Sequence, residues 1–314
     1  MAKILDRAKS AGEMAIQKGY RLKVLQVSPS GNGKTQNTIT LPQEEGKEIL
    51  LIDYDNRAQS LYGELGIKIL TLFDPDPNSP KAWVAAEVLR RELWGLVKGG
   101  VFPYSAIVED GLSMMLQIAM NHALTFDMEH VGLGGAPGQS HWMPQIHFIR
   151  SHINSMRMLP CHYVLNAHLE SLNDGVDGVL KYFPKVTKSL RPELPAWFNE
   201  TYLCRKKVAE GKDGKKKLSY YWITSGTGKF DFFKSTLNTQ GKFWNDPMKI
   251  NLDEKPAGFS KLLALRFGEL EREEEKDGET DGEGIETSDE GTAEEAEQDA
   301  TVPGKETGGG TEAS

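Results

Sequence analysis

The chain has 314 residues, which is enough for one large or two small domains. It contains no run of 18 apolar residues, so the sequence predicts no membrane-spanning helix. Residues 1–20 have a polar, helical pattern without the apolar segment of a signal peptide. The two cysteines, Cys161 and Cys204, lack metal-site spacing and fit a reducing compartment, so we expect a cytoplasmic protein.

The net charge of −8 is distributed unevenly along the chain. Residues 269–314 contain 18 Asp and Glu against three Lys and Arg, a net charge of −15 that leaves +7 on the rest. This tail has almost no large apolar residue, so we expect it to be disordered, after an N-terminal helical segment (1–20) and a folded body (21–268). A basic body with an acidic tail suggests a polyanionic partner, with which the tail competes for the basic surface. The alternative is that the tail serves only solubility.

The first predicted strand, Leu22–Val27, leads into the sequence Val-Ser-Pro-Ser-Gly-Asn-Gly-Lys-Thr. This matches most of the phosphate-binding loop G-x-x-x-x-G-K-[ST], with Ser28 in place of the first glycine. Glycines let backbone N–H groups turn toward a phosphate, the lysine reaches the β- and γ-phosphates, and the hydroxyl can bind Mg²⁺. The predicted nucleotide-binding residues are Ser30, Gly31, Asn32, Gly33, Lys34 and Thr35. The alternative is a glycine-rich surface turn with a chance Gly-Lys-Thr.

Strand and helix patterns alternate after the loop motif, before the pattern changes past Thr201, and predict a doubly wound, mostly parallel α/β sheet. A short helix should present its positive N-terminal end to the phosphates and end at Pro42. The expected elements are helix 34–41, strand 48–53, a helix from Ser79 to Gly99, strand 106–110, helix 112–124, a loop over 132–140, helix 145–158, strand 161–167, and a C-terminal β-hairpin of residues 202–208 and 217–224.

Acidic side chains follow two of the predicted strands. Asp110 closes the third strand and is placed to hold Mg²⁺. Successive strand side chains point to opposite faces, so Glu109 should not share that site, although the reverse arrangement, with Glu109 on the metal and Asp110 as the base, stays open. Asp53 and Asp55 close the second strand. Asp55 could activate a water molecule as a general base, but an Asp there also favours a turn.

His168 follows the fourth strand in the sequence Tyr-Val-Leu-Asn-Ala-His. A polar group at this position could contact the γ-phosphate, or it could merely cap the strand.

The order of phosphate loop, Ile-Asp-x-Asp, the strand ending in Asp110, and Ala-His168 resembles the RecA-like P-loop ATPase core. It is most similar to phage nucleotide-binding proteins of the single-strand-annealing and recombinase group, over roughly residues 20–240. The resemblance implies ATP and Mg²⁺ as cofactors, Asp55 as catalytic acid, Asp110 and Thr35 at the metal, and His168 as γ-phosphate sensor. It also implies that Lys234, in Phe-Asp-Phe-Phe-Lys-Ser, reaches a neighbouring subunit's nucleotide in a homo-oligomeric ring or filament.

RecA-like proteins bind single-stranded DNA through loops after the third and fourth strands. The corresponding segments here are 127–144 and 171–190, where aromatic side chains between cations suit base stacking and phosphate contact. The predicted DNA-binding residues are Trp142, Lys181, Tyr182, Phe183, Lys185 and Lys188, although the aromatics could instead belong to the core. Lysines of the C-terminal hairpin, Lys206 among them, add to the basic charge or are simply solvated.

The resemblance implies an ATP-dependent, DNA-stimulated ATPase that binds single-stranded DNA in phage recombination, annealing or replication, in the cytoplasm of a bacterial host. A replicative helicase or helicase loader is the second interpretation. A nucleotide-dependent binding switch with little turnover, which recruits a replication or recombination protein through the acidic tail, is the third.

Overall fold

The computed structural model describes residues 20–76, 78–127, 135–173, 180–210, 216–226 and 231–272. The predicted N-terminal segment (all but Tyr20), residues 128–134 and 174–179 of the two predicted DNA-binding segments, and most of the acidic tail lie outside them. The strands are β1 (Lys23–Ser28), β2 (Glu48–Asp53), β3 (Ile67–Thr71), β4 (Tyr104–Asp110), β5 (His162–Asn173), β6 (Leu180–Pro184), β7 (Glu200–Glu210), β8 (Lys216–Ile223), β9 (Lys234–Ser235) and β10 (Met248–Ile250).

One large sheet organises the described residues, with strand order β10-β8-β7-β1-β5-β4-β2-β3. The six strands from β7 to β3 in this order are mutually parallel. Their sequences are largely apolar because helices or loops cover both faces, as a parallel sheet requires. β8 and β10 extend the sheet antiparallel beyond β7, β9 pairs with the first residues of β7, and β6 pairs antiparallel with the far half of β5.

Two layers cover the sheet. The helices are α1 (Ala82–Lys98), α2 (Leu112–Leu124), α3 (Gln139–Met156), α4 (Glu193–Ala196) and α5 (Gly258–Arg266), with 3-10 helices at Gln36–Thr40, Ala58–Leu61, Lys188–Leu190 and Thr239–Gly241. On one face α1 to α3 bury Trp83, Met115 and Ile149 in the same apolar cluster as Leu25 of β1. On the other face α5 packs against the first 3-10 helix. No helix within the described ranges is long and apolar enough to cross a membrane.

The alternating pattern of strands and helices is confirmed, and so is the C-terminal hairpin formed by β7 and β8. β2 and α2 have the predicted bounds. Several bounds differ from the prediction, and α1, for example, begins at Ala82 rather than at Ser79. Three differences concern the residues predicted to bind phosphate and DNA. The first is the helix after the Gly-Asn-Gly-Lys-Thr motif. It is a 3-10 helix of five residues, because Leu41 is already extended before Pro42. It is therefore too short to contribute much of a helix dipole.

The second difference is α3, which begins at Gln139, so the end of the predicted loop is helical. The third is the segment predicted to be a DNA-binding loop after β5. Its described residues include the end of β5 and the whole of β6, which pair in register from Leu169 with Pro184 to Asn173 with Leu180. β3, β9, β10 and α5 are further elements that the sequence patterns did not predict.

Candidate phosphate-loop site

The loop after β1 has the backbone that its glycines require. Gly31 and Gly33 have φ angles of +74° and +83°, a conformation that side chains with a Cβ rarely adopt. Ser28, where the motif has its first glycine, ends β1 as an ordinary strand residue, and it is not among the described residues with positive φ. A serine therefore fits this position without backbone strain.

Lys34 lies inside the loop rather than pointing into solvent, with 8% of its surface exposed. Its ammonium donates to Ser28 O at 3.0 Å, Ser28 Oγ at 2.8 Å and Pro29 O at 3.1 Å. Burial lowers the pKa of Lys34, and the negative charges of Asp110 and Asp55 oppose that shift. The hydroxyl of Ser28, which a glycine would lack, is thus part of the lysine's binding site.

Thr35 and Asp110 meet although 75 residues separate them. The Thr35 hydroxyl donates to Asp110 Oδ2 at 2.5 Å, and the Asn166 amide donates to Asp110 Oδ1 at 3.1 Å. Burial raises the pKa of Asp110, against the lowering effect of these two hydrogen bonds. The carboxyl end of β4 thus lies beside the last residue of the loop motif, as parallel strands arrange it.

A buried polar network that sequence analysis missed supports this contact. Gln26 Nε2 donates to Asn166 Oδ1 at 3.1 Å, and Gln26 Oε1 accepts from Asn37 at 3.0 Å and from Cys204 Sγ at 3.1 Å. Burial raises the pKa of Cys204 to about 12, so its thiol keeps the proton that it donates. A Gln inside an otherwise apolar strand was the only signal in the sequence.

Asp55 faces the same site from the end of β2. Gly111, the residue after Asp110, has a φ angle of +98°, and a Cβ there would lie 2.5 Å from Asp55 Oδ1, so a larger residue would be strained and would displace the Asp55 carboxylate. Burial and the charge of Asp110 raise the pKa of Asp55. Asp53 has a different task, since its carboxylate accepts from the backbone N–H of Asp55 at 3.1 Å and of Ala58 at 2.9 Å and so shapes the turn.

Glu109 lies on the opposite face of the sheet, fully buried under the helices. It accepts hydrogen bonds from Tyr54 at 2.8 Å and from Tyr163, and its Oε1 lies 2.6 Å from His152 Nε2. Burial alone would raise the pKa of Glu109, but these three partners together lower it. The structure therefore gives no support to the arrangement in which Glu109 binds the metal.

His168 pairs in register with Ser28, the last residue of β1, and is half-buried. It does not end its strand as predicted, because β5 continues to Asn173 with β6 as its new partner. Burial and the neighbouring charge of Lys34 lower the pKa of His168, which favours the neutral imidazole. His168 therefore lies on β5 beside the start of the phosphate loop.

The residues at this site suit a magnesium ion bound together with a nucleotide. Asp55 Oδ1 is buried and has no hydrogen-bond partner among the described residues. Two adjacent carboxylates with raised pKa values favour a nearby cation. Within the described ranges no group of three or more His, Cys, Asp or Glu could hold a metal ion unaided. Mg²⁺ commonly takes one or two protein ligands and completes its shell with phosphates and water.

The predicted DNA-binding residues lie in α3 and in the region of β6. Trp142 lies in the first turns of α3 and is 40% exposed. Lys181, Lys185 and Lys188 are exposed on and after β6, and Phe183 is half-buried. Tyr182 is 6% exposed, as expected for the alternative in which this aromatic belongs to the core, and its role in DNA binding stays a prediction. Its position on β6 sends it to the opposite face from Lys181 and Phe183.

Lys234 is exposed on β9 and pairs with Thr201 of β7. Thr201 in turn pairs with Leu25, in the middle of β1, so the register does not bring Lys234 to the loop of its own chain. Its predicted role across a subunit interface stays a prediction.

Comparison of the chain with protein-family models and with curated protein sequences finds no match. A function for the chain therefore has to be inferred from the geometry of this site.

Proposed function

We propose that the protein is a RecA-like, Mg²⁺-dependent ATPase that binds single-stranded DNA. The observation that supports this most is the hydrogen bond from Thr35 to Asp110, which joins the phosphate loop to the acidic end of a parallel strand. A short sequence motif such as Gly-Lys-Thr also arises by chance. A hydrogen bond between its threonine and an aspartate 75 residues away is much less expected by chance.

In this proposal each residue has one task. Backbone N–H groups of the loop and the Lys34 ammonium bind the phosphates. Thr35 and Asp110 would hold Mg²⁺, which would supply positive charge beside the phosphate oxygens. Asp55 accepts a proton from the attacking water, whose oxygen bonds to the γ-phosphorus as the bond to the bridging oxygen breaks and ADP leaves. His168 contacts the γ-phosphate, and because it lies on β5, this contact influences the conformation of the β5–β6 hairpin.

The DNA-binding part of the proposal rests on charge. Lys181, Lys185 and Lys188 are exposed on the strand that pairs with the extension of β5 and just after it. Because β5 also contains His168, this hairpin is a direct continuation of the proposed sensor strand. Phe183 and Trp142 are the aromatic candidates for base stacking. Lys234 would act on the nucleotide of a neighbouring subunit, which requires a ring or filament.

Measurement of nucleotide binding and ATP turnover tests the proposal. Lys34→Ala should weaken ATP binding by about 100-fold or more, because charge-assisted contacts to phosphate are worth about 1.5–3 kcal/mol each. Lys68→Ala, on the exposed edge strand β3, is the matched control and should bind as the wild type does. Equal ATP affinity in the two variants would contradict the phosphate-loop assignment.

Turnover with and without single-stranded DNA separates the alternatives. Strong stimulation without unwinding supports the proposal. Unwinding of duplex DNA would favour a helicase or helicase loader, and slow, unstimulated turnover would favour a binding switch.

A further inference from the structure

The β7–β8 hairpin lies directly against the phosphate loop. β7 runs parallel to β1 as far as Leu203, which pairs with Val27, and then continues past the end of β1. Its next residues therefore pass beside the loop. The backbone N–H of Lys206 donates to Asn32 Oδ1 at 3.0 Å. Hence the loop is joined to a strand that the phosphate-loop motif itself does not include.

The second strand of the hairpin contacts the loop as well. Tyr220 is the cross-strand partner of Lys206. A Cβ at Gly33 would lie 3.0 Å from the Tyr220 ring, so the ring packs on the glycine backbone. Paired residues of both strands thus contact two successive positions of the loop, at Asn32 and Gly33.

Asn32 connects the two parts. Its side-chain amide donates to Pro29 O and Ser30 O, both at 3.3 Å, while its carbonyl oxygen accepts from Lys206. Asn32 is 8% exposed, although the motif accepts any residue at its position. Its side chain therefore fixes the position of Lys206 relative to the loop.

The Lys206 ammonium reaches the loop at Gly31. A Cβ on Gly31 would lie 3.6 Å from Lys206 Nζ, and Lys206 is otherwise exposed. The positive φ of Gly31 turns the backbone at the position where N–H groups can face an anion. A compact, flexible ammonium is well suited to binding phosphate as a point charge.

We propose that Lys206 is a second phosphate-binding cation of this site, supplied by the same chain through the β7–β8 hairpin and positioned by Asn32. The proposal rests on nucleotide binding at the loop. It assigns Lys206 to the phosphates of a nucleoside di- or triphosphate. In the sequence, Lys206 instead belongs to the basic hairpin lysines, which suggested a contact with DNA.

Equilibrium binding of ATP, ADP and AMP to the full chain tests this assignment. Lys206→Gln should weaken ATP binding about tenfold and AMP binding less, because the ammonium recognises phosphate charge. Lys207→Gln is the matched control, because Lys207 follows Lys206 on β7 and its side chain points to the opposite face of the strand. The ATP affinity of Lys207→Gln should equal that of the wild type. Added salt should reduce the difference between wild type and Lys206→Gln.

Asn32→Ala is the second variant. It should weaken ATP binding in the same direction while the protein remains folded by circular dichroism. If Lys206→Gln and Lys207→Gln bind ATP equally well, the assignment is overturned. A loss that is the same for AMP and ATP would also overturn it, because it would show that Lys206 only supports the loop.

Failure of the proposed function looks different from failure of this assignment. If Lys34→Ala binds ATP as well as the wild type does, the phosphate-loop function is wrong and the assignment of Lys206 is wrong with it. If Lys34→Ala loses binding and Lys206→Gln does not, only the role of Lys206 is wrong.

Discussion

Three acids near the phosphate loop have different surroundings, namely Asp55, Glu109 and Asp110. Mutation can therefore separate their roles. Asp55→Asn should slow ATP hydrolysis by about 100-fold or more while ATP still binds, as loss of a general base does. The carboxylate has the geometry for this role, since it faces the site beside Gly111 and one of its oxygens has no partner among the described residues. Single-turnover hydrolysis and equilibrium ATP binding measure the two quantities.

Glu109→Gln is the informative comparison for Asp55→Asn. Because Glu109 is buried with Tyr54, His152 and Tyr163, its replacement should lower the free energy of unfolding by about 1–3 kcal/mol and leave the turnover of folded molecules largely unchanged. A Glu109→Gln protein of normal stability that does not hydrolyse ATP, together with an active Asp55→Asn protein, would instead support the arrangement with Glu109 on the metal and Asp110 as the base.

At the scale of elements, the β5–β6 hairpin is the proposed contact for single-stranded DNA. Replacement of Lys181, Lys185 and Lys188 by Gln should lower the slope of log affinity against log salt concentration by about 2, since each phosphate contact on a single strand contributes about 0.7. Fluorescence anisotropy of a labelled oligonucleotide over a salt series measures that slope. Replacement of the exposed Lys68, Lys98 and Lys249 is the control of equal charge. Equal slopes for the two triple variants would remove the hairpin from the DNA site.

The sequence predicted an element well where a local pattern of residues defines it. It predicted an element poorly where pairing with a distant strand defines it. β2 and α2 were predicted with their observed bounds because an apolar run and a helical repeat mark them. β6 was missed because a strand of five residues that ends at a proline becomes stable only by pairing with β5. Pro144 and the glycines before it favoured a later start for α3 than the observed Gln139.

The candidate site divides in the same way. The loop motif and the strand-end Asp110 could be predicted because both depend on short stretches of sequence. The contacts of Gln26 with Asn166 and of Lys206 with Asn32 join residues 140 and 174 positions apart. They depend on strand order and register, and a single sequence does not encode these in any local pattern.

At the scale of the whole molecule, the structure moves the boundary of the acidic tail. Sequence analysis began the tail at Glu269, but the backbone N–H of Glu269 donates to Ala264 O at 2.8 Å and Arg272 donates to Gly241 O at 2.9 Å. Glu269, Leu270 and Arg272 therefore contact the folded body. Residues 273–314 contain 16 Asp and Glu against two Lys and Arg, so removing them changes the net charge from −8 to +6.

A protein ending at Arg272 should stay folded and bind single-stranded DNA more tightly than the full chain, chiefly at low salt. Charges farther apart than about 10 Å are largely screened at 0.1 M salt, so the tail has to reach the basic surface in order to compete with DNA. Added salt should therefore bring the two affinities together. A salt titration of both proteins measures the difference, and thermal unfolding checks that the shortened protein has kept its stability. Equal affinities at every salt concentration would instead make the tail a segment for solubility or for docking another protein.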